Sequence, residues 1–140
     1  MLLPKKKIYL IISIIIFLII TSIKKIVDEE YFFDTSKVKT QESLTAKELL
    51  FKVNNDQNQL NDMIEKAIEI KGEIKEITNR DHIYTIILKE DSKETLILCE
   101  MQKNQNTKVL ELKVGKHIKI KGILKGFLMD VILLQCIIIE

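Results

Sequence analysis

The sequence is poor in the residues from which metal and catalytic sites are built. Its 140 residues include two cysteines, Cys99 and Cys136, and two histidines, His82 and His117. Neither pair has the C-x-x-C or H-x-x-x-H spacing that is typical of zinc ligands. The sequence also places no histidine beside a serine to act as its base. We therefore expect no metal, no cofactor, no catalytic residue and no enzymatic activity.

Aromatic residues are also scarce, and most of the chain carries little net charge. Aromatic residues make up 6% of the chain. From Thr40 to Glu140 there are 15 Lys and Arg against 16 Asp and Glu, a net charge of −1. Proteins that bind single-stranded nucleic acid combine a basic groove with aromatic rings on which bases stack. The composition therefore disfavours nucleic acid as a partner.

One long run without charge lies near the N-terminus. Residues 8–23, IYLIISIIIFLIITSI, follow three lysines and precede lysines at positions 24 and 25. As a helix the run extends about 24 Å, and the flanking lysine side chains can reach the rest of the way across the hydrocarbon core. The run predicts a single membrane anchor over residues 8–23, after a short basic segment at residues 1–7.

Two other interpretations of this run are a cleaved secretory signal and a helix buried in a soluble protein. No small-residue cleavage site follows the run, which favours the anchor. Three lysines and the α-amino group precede it and two lysines follow it, which indicates a cytoplasmic N-terminus. We expect a single-pass protein of the cell membrane, with a polar tether at residues 24–43 and a domain at 44–140 outside the cytoplasm.

The predicted domain has one helix followed by five strands. Thr45 and Glu48 have the spacing of a capping box and predict a helix over about 45–66. This helix presents one apolar face formed by Leu49, Val53, Leu60 and Ile64. Strand patterns follow at about 67–78, 82–89, 95–100, 117–124 and 131–139. The longest connection lies between the third and fourth strands, which is typical of an OB-fold, a five-stranded Greek-key barrel. The fold class is thus an all-β core with one packing helix.

Two of the four glycines occupy matching positions in the first and fourth predicted strands. They end the segments IEIKG (68–72) and IKIKG (118–122). These strands are neighbours in an OB-fold, and both must bend to close a narrow barrel. A glycine permits both the bend and a close backbone approach. We expect Gly72 and Gly122 to be barrel-bend positions.

The fifth predicted strand is apolar along its whole length. We therefore expect both of its faces to be buried, one inside the barrel and one under the helix at 45–66. Strict alternation places Leu133 and Cys136 on opposite faces of this strand.

Three residues form a candidate ligand face. Tyr84 is the one aromatic residue of the second and third strands, and Lys119 and Lys121 belong to a basic run on the fourth. Glu69 and Glu73 on the neighbouring first strand have the opposite charge and are placed to complement these lysines.

The cysteines lie in strands that are adjacent in an OB-fold. Cys99 is in the third strand and Cys136 in the fifth, so the two could reach bridging distance. An oxidising compartment would favour a disulfide bond between them. The alternative is two buried free thiols that behave as small apolar residues.

Three stretches of the chain resemble a known family. They are TAKELLFKVNNDQNQLNDMIEKAIEIKGEIKEI, LILCE and LKVGKHIKIKGILKGFLMDVILLQC. They resemble the tRNA-anti-like OB-fold family of small bacterial proteins, which are often anchored by an N-terminal helix or a lipid. The resemblance covers about residues 44–138 and implies the helix, the paired glycines and a cysteine in the last strand, here Cys136. Many members have another cysteine where this chain has Leu124. The family name reports a likeness to anticodon-binding domains and does not imply tRNA binding.

These observations predict a membrane-anchored, non-enzymatic OB-fold module that binds or supports another molecule outside the cytoplasm. Its expected partner, besides the membrane, is a protein, a peptide or a component of the cell envelope. The alternative is a domain that binds single-stranded nucleic acid or tRNA, which would fit best if the domain faced the cytoplasm.

Overall fold

The computed structural model describes residues 3–28, 34–90 and 94–140. The chain divides into two compact units, residues 1–33 and residues 34–140. The first unit contains the helix α1 (Lys5–Asp28). Within it, Lys5–Lys24 has a mean hydropathy of 2.2 and is long and apolar enough to cross a membrane. Twenty helical residues extend about 30 Å, the thickness of a hydrocarbon core. The predicted anchor at 8–23 lies inside this helix.

Within the described residues, the second unit has three α-helices and six strands. The helices are α2 (Ala46–Asn55), α3 (Gln57–Met63) and α4 (Asn106–Leu110). The strands are β1 (Thr40–Thr45), β2 (Ala67–Arg80), β3 (Ile83–Leu88), β4 (Ile97–Met101), β5 (His117–Phe127) and β6 (Val131–Ile138). Short 3-10 turns lie at Thr35–Lys37 and Lys103–Gln105.

Five of these strands close into a barrel. Their order is β2-β3-β4-β6-β5, and β5 pairs again with β2. All neighbours in the barrel are antiparallel except β4 and β6, which are parallel. The helix α4 lies in the long connection between β4 and β5. The predicted five-stranded OB-fold barrel is confirmed.

The strand β2 turns a corner of the barrel. Its first half, Ala67–Glu73, pairs with β5, and its second half pairs with β3. The register with β3 shifts between Ile74 and Glu76, and an extra residue at such a point bends a strand. β2 therefore pairs with both β3 and β5, and its pairing with β5 is the seam at which the barrel closes.

The turn after β2 lies two residues later than predicted. Asp81 and His82 have φ values of 52° and 64°, so both adopt the left-handed conformation. Two such residues form the tight hairpin turn whose twist matches that of the strands it joins. β2 consequently extends to Arg80 and β3 begins at Ile83.

The two matching glycines leave room for side chains of neighbouring elements in the core. A Cβ atom at Gly122 would overlap the sulfur of Cys136 and lie 3.2 Å from the Cβ of Leu133. A Cβ atom at Gly72 would lie 3.1 Å from the Cβ of Ala46. Space is thus a sufficient reason for glycine at both positions, and their role in bending the strands stays a prediction.

The strand β6 departs from strict alternation. Gln135 has a φ of 55°, and β6 gains a residue relative to β4 because Cys99 faces Leu133 while Met101 faces Cys136. The bulge turns both Leu133 and Cys136 toward the core, where both are fully buried. The prediction that they lie on opposite faces is wrong. So is the prediction that both faces are buried, because Ile132 is 41% exposed.

The predicted helix at 45–66 is two helices. The Asp56 side chain accepts the N–H of Gln59 at 3.3 Å and so starts α3 after a break. The predicted capping box is confirmed, since Thr45 and Glu48 each accept a backbone N–H of the other, at 3.2 and 2.7 Å.

The two helices contribute to the core of the barrel instead of covering β6. Leu49, Leu50 and Leu60 are fully buried in the same cluster as the interior strand residues. α2 packs on β1 and β2. The prediction that the helix covers the outer face of β6 is therefore wrong. The 3-10 turn Thr35–Lys37 lies against β5 and β6.

The segment predicted as a tether contributes to the second unit from Asp34 onward. β1 pairs in parallel with the first half of β2, and Thr40 donates a hydrogen bond from its hydroxyl to Glu69 at 2.9 Å. The sequence of β1, TQESLT, is too polar to show a strand pattern. This segment forms a strand because it pairs with β2, although its own composition does not predict one.

We expect Gly122→Ala to destabilise the barrel by about 1–3 kcal/mol, because the new methyl group overpacks the core. Gly126→Ala is the control on the same strand, since a Cβ there meets nothing within 4 Å. Urea denaturation of a fragment covering residues 34–140 measures both. Adding Cys136→Ala to Gly122→Ala should restore part of the loss. Equal stability of the two alanine variants would contradict this packing explanation.

Candidate functional site

The structure does not bring the three predicted ligand-face residues together. Tyr84 lies on β3 opposite Asn79, whereas Lys119 lies on β5 opposite Lys71. Eight residues of β2 separate these two positions, about 26 Å along a strand. Tyr84 also packs against the core cluster. Tyr84, Lys119 and Lys121 therefore form no common surface.

The two lysines of β5 make contacts within the domain. Lys119 Nζ lies 2.9 Å from a carboxylate oxygen of Glu69, the predicted pairing of opposite charges. The hydrogen bond from Lys119 lowers the pKa of Glu69, and Glu69 in turn raises the pKa of Lys119. Lys121 is 7% exposed and donates a hydrogen bond to the carbonyl oxygen of Val38. Lys119 thus links β5 to β2, whereas Lys121 holds the segment just before β1 against the barrel.

A row of apolar side chains crosses the outer face of β3, β4 and β6. We call it the apolar row, and its members are Ile87, Leu98 and Ile132. Ile87 faces Leu98, and Leu98 faces Ile132, so the three lie side by side across adjacent strands. Ile87 and Leu98 are half-buried, and Ile132 is exposed.

The apolar row occupies the face through which OB-folds commonly bind their ligands. In the printed sequences of β3, β4 and β6, no residue is a lysine or arginine, and the one aromatic residue is Tyr84. Glu100 faces Thr85 next to the row. These three strands therefore carry no cation for phosphate, and their one aromatic ring packs against the core.

A groove of about 530 Å³ runs along the outer face of β2 and the start of α2. Its charged lining residues are Lys47, Lys71, Lys75, Lys89, Glu73, Glu90 and His117. Glu73 lies 3.9 Å from His117. Lysines outnumber carboxylates in this groove, so it is the more cationic of the candidate sites.

A polar cluster clamps the start of the second unit onto β6. The hydroxyl of Thr35 donates to the carbonyl of Gln135 at 2.6 Å and accepts from the side chain of Gln102 at 3.1 Å. Gln105 accepts the backbone N–H of Ile138 at 3.1 Å. Gln102, Gln105 and Thr35 are all buried. No sequence pattern indicates this cluster, because its residues lie up to 100 positions apart.

The two cysteines lie next to each other inside the barrel. Both are buried free thiols on the neighbouring strands β4 and β6. Burial, followed by the contact with Cys99, raises the pKa of Cys136 well above its ordinary value. A buried thiol of this kind is a poor nucleophile. A disulfide bond between the two stays a prediction.

Among the described residues, no group of three or more His, Cys, Asp or Glu side chains could hold a metal ion.

The model of the tRNA_anti-like family matches residues 1–138. The chain belongs to the tRNA_anti-like family. A search of curated proteins finds no match.

Solved structures similar to this tRNA_anti-like chain come from several kinds of protein. One, provisionally named a nucleic acid-binding lipoprotein of Klebsiella pneumoniae, is 13% identical with a TM-score of 0.60, over 72% of this chain and 92% of that one. Asparaginyl-tRNA synthetase from Pyrococcus horikoshii is 12% identical with a TM-score of 0.44, over 56% and 21%. An OBody bound to hen egg-white lysozyme is 9% identical with a TM-score of 0.45, over 56% and 86%. At such identities the likeness to the Klebsiella protein shows a shared fold alone.

The ion pair between Glu69 and Lys119 makes the stability of the tRNA_anti-like domain depend on pH. The folded-state pKa of Glu69 is lower than its unfolded value, so the pair stabilises the fold above the unfolded pKa. That stabilisation is lost as the pH falls from the ordinary glutamate pKa of about 4.5 through the lower folded value. We expect the melting temperature of Glu69→Gln to fall less over this range than that of the parent.

The control for this measurement is Glu76→Gln, an exposed position further along β2. It should keep the parental pH dependence of the melting temperature. Parallel pH curves for Glu69→Gln and the parent would show that the pair contributes nothing to acid stability.

Proposed function

We propose that this chain is a membrane-anchored, non-enzymatic OB-fold module that binds a protein or peptide through the apolar row. The observation that carries the proposal is the alignment of Ile87, Leu98 and Ile132 across three strands of the usual OB ligand face. Apolar side chains on a rigid sheet gain free energy when a partner removes them from water. A protein or peptide surface of matching shape is the ligand that such a row suits best.

Electrostatics favour this class of partner over nucleic acid at the same face. Lysine and arginine contacts to phosphate supply most of the non-specific affinity for nucleic acid. The three strands that carry the row have no such residue, and Glu100 beside it would repel phosphate. Tyr84 is turned toward the core and is poorly placed to stack on a base.

The anchor is supported by the length and hydropathy of Lys5–Lys24. The family match that begins at residue 1 includes this helix, and the Klebsiella protein of the same fold is named a lipoprotein. We place the N-terminus in the cytoplasm and the barrel outside it, because lysines are more numerous before the span than after it.

The absence of enzymatic activity is part of the proposal. In the described part of the chain, His82 lies in the tight turn after β2, and His117 faces Glu73 at 3.9 Å. The two cysteines are buried away from both histidines on separate strands. Nucleophilic catalysis requires a nucleophile in contact with a base, and the described cysteines and histidines do not form such a pair.

A second candidate function is the binding of a polyanion such as single-stranded nucleic acid. The groove with Lys47, Lys71, Lys75 and Lys89 favours it, since none of these lysines is in an ion pair with another described residue. Glu73 and Glu90 in the same groove offset part of that charge. The groove is therefore the weaker site.

Site-specific photocrosslinking tests which class of partner the apolar row binds. A photoreactive residue replaces Leu98 in the full-length protein in the membranes of its own cells. We expect a discrete product that protease removes and nuclease does not. The same residue at Leu110, an exposed apolar position on α4 outside the row, is the control and should not give it.

Adding Ile132→Lys should suppress the Leu98 product, because a charge would then stand in the row. A product that nuclease destroys, or identical products from both positions, would refute a protein partner at the row. A nuclease-sensitive product would support the second candidate.

A further inference from the structure

The turn between β5 and β6 presents two apolar side chains to solvent. Leu128 is 100% exposed and Met129 is 86% exposed. The next most exposed large apolar residue described in the barrel unit is Leu110, at 70%. Contiguous exposed apolar surface marks sites where a protein meets another molecule or a membrane, and Leu128 and Met129 are adjacent.

The turn that carries these side chains is held firmly at its base. Phe127 pairs with Val131 across the hairpin and packs against the core. The carboxylate of Asp130 accepts the backbone N–H of Leu96 at 2.8 Å, and Leu96 accepts the N–H of Val131 at 2.9 Å. These contacts hold both ends of the turn, and Leu128 and Met129 lie exposed between them.

We propose that this turn inserts its tip into the surface of the lipid bilayer that α1 crosses. Leu128 and Met129 then lie at the boundary between headgroups and acyl chains. The proposal rests on the membrane anchor of the proposed function and adds a second membrane contact to it.

The covalent connection permits this contact. From Asp28, where α1 ends, to Asp34 there are six Cα–Cα steps, at most about 23 Å in a fully extended chain. Thr35 is bound to Gln135 on β6, the strand that begins at the turn. Gln135 lies four residues from Val131, about 13 Å along the strand. The connection from α1 therefore reaches the barrel at β6, the strand that also carries one end of the turn.

The charged residues Lys125 and Asp130 beside the turn are engaged within the domain. Lys125 near the turn is paired with Glu65 at 2.6 Å, and the carboxylate of Asp130 is occupied by Leu96. Insertion would depend on the burial of two apolar side chains, as in other interfacial segments. The contact should form on uncharged lipid and should persist at high salt.

Tryptophan fluorescence tests the contact directly, because the chain contains no tryptophan. The full-length Leu128→Trp variant is reconstituted in phosphatidylcholine vesicles whose acyl chains are brominated near the headgroup. We expect blue-shifted emission and loss of most of its intensity relative to vesicles without bromine. Leu110→Trp is the matched control, because Leu110 lies far from the turn. Asn106, at the start of α4, donates a hydrogen bond to the carbonyl of His82, which precedes β3. The turn lies near the other end of β3, at Leu88. Its emission should stay unquenched.

Equal emission with and without bromine for Leu128→Trp would overturn the proposal. This result is also the one expected if a partner protein, and not lipid, covers the turn. Equal quenching at both positions would overturn the proposal as well. Carbonate extraction of the same vesicles tests the membrane anchor separately from the membrane contact of the turn. Release of the protein would overturn the anchor itself, whereas a retained but unquenched Leu128→Trp protein would overturn the membrane contact of the turn alone.

Discussion

Pairing between the first half of β2 and β5 is the constraint on which the rest of the domain depends. It closes the sheet, because β2 also pairs with β3 and thereby joins the two ends of the strand order. Closure removes the exposed edges that an open five-stranded sheet would present. It also encloses a narrow interior, so the backbone must approach its neighbours where Gly122 faces Cys136 and Gly72 faces Ala46. The helices α2 and α3 then supply apolar side chains to the same core.

The features set by short-range pattern could be predicted from the sequence. Alternating or continuously apolar segments bounded by polar turns located the five barrel strands, and the long connection between the third and fourth strands indicated their topology. The spacing of Thr45 and Glu48 identified the start of α2 through two local hydrogen bonds. Opposite charges on neighbouring strands indicated the pairing of Glu69 with Lys119.

The features set by long-range contacts could not be predicted. β1 is polar and is ordered by its pairing with β2, which its own residues do not encode. The bulge at Gln135 reverses the alternation of β6, so Cys136 turns inward with Leu133. Tyr84 was placed on an outer ligand face because it is the one aromatic residue of its strands, yet it is in phase with the buried Ile86. The apolar row became visible only once the register of three strands was known.

The same closure shapes the outer face on which the proposed binding site lies. Aligned strands place the apolar row on a rigid surface, and the hairpin of β5 and β6 projects Leu128 and Met129 from its end. Amide hydrogen exchange on residues 34–140 tests the closure most directly. The amides between Ile68 and Glu73 on β2 and their partners on β5 should exchange last and only through global unfolding. Exchange of these amides ahead of those in β3 and β4 would show that the barrel opens at this seam and would contradict the account.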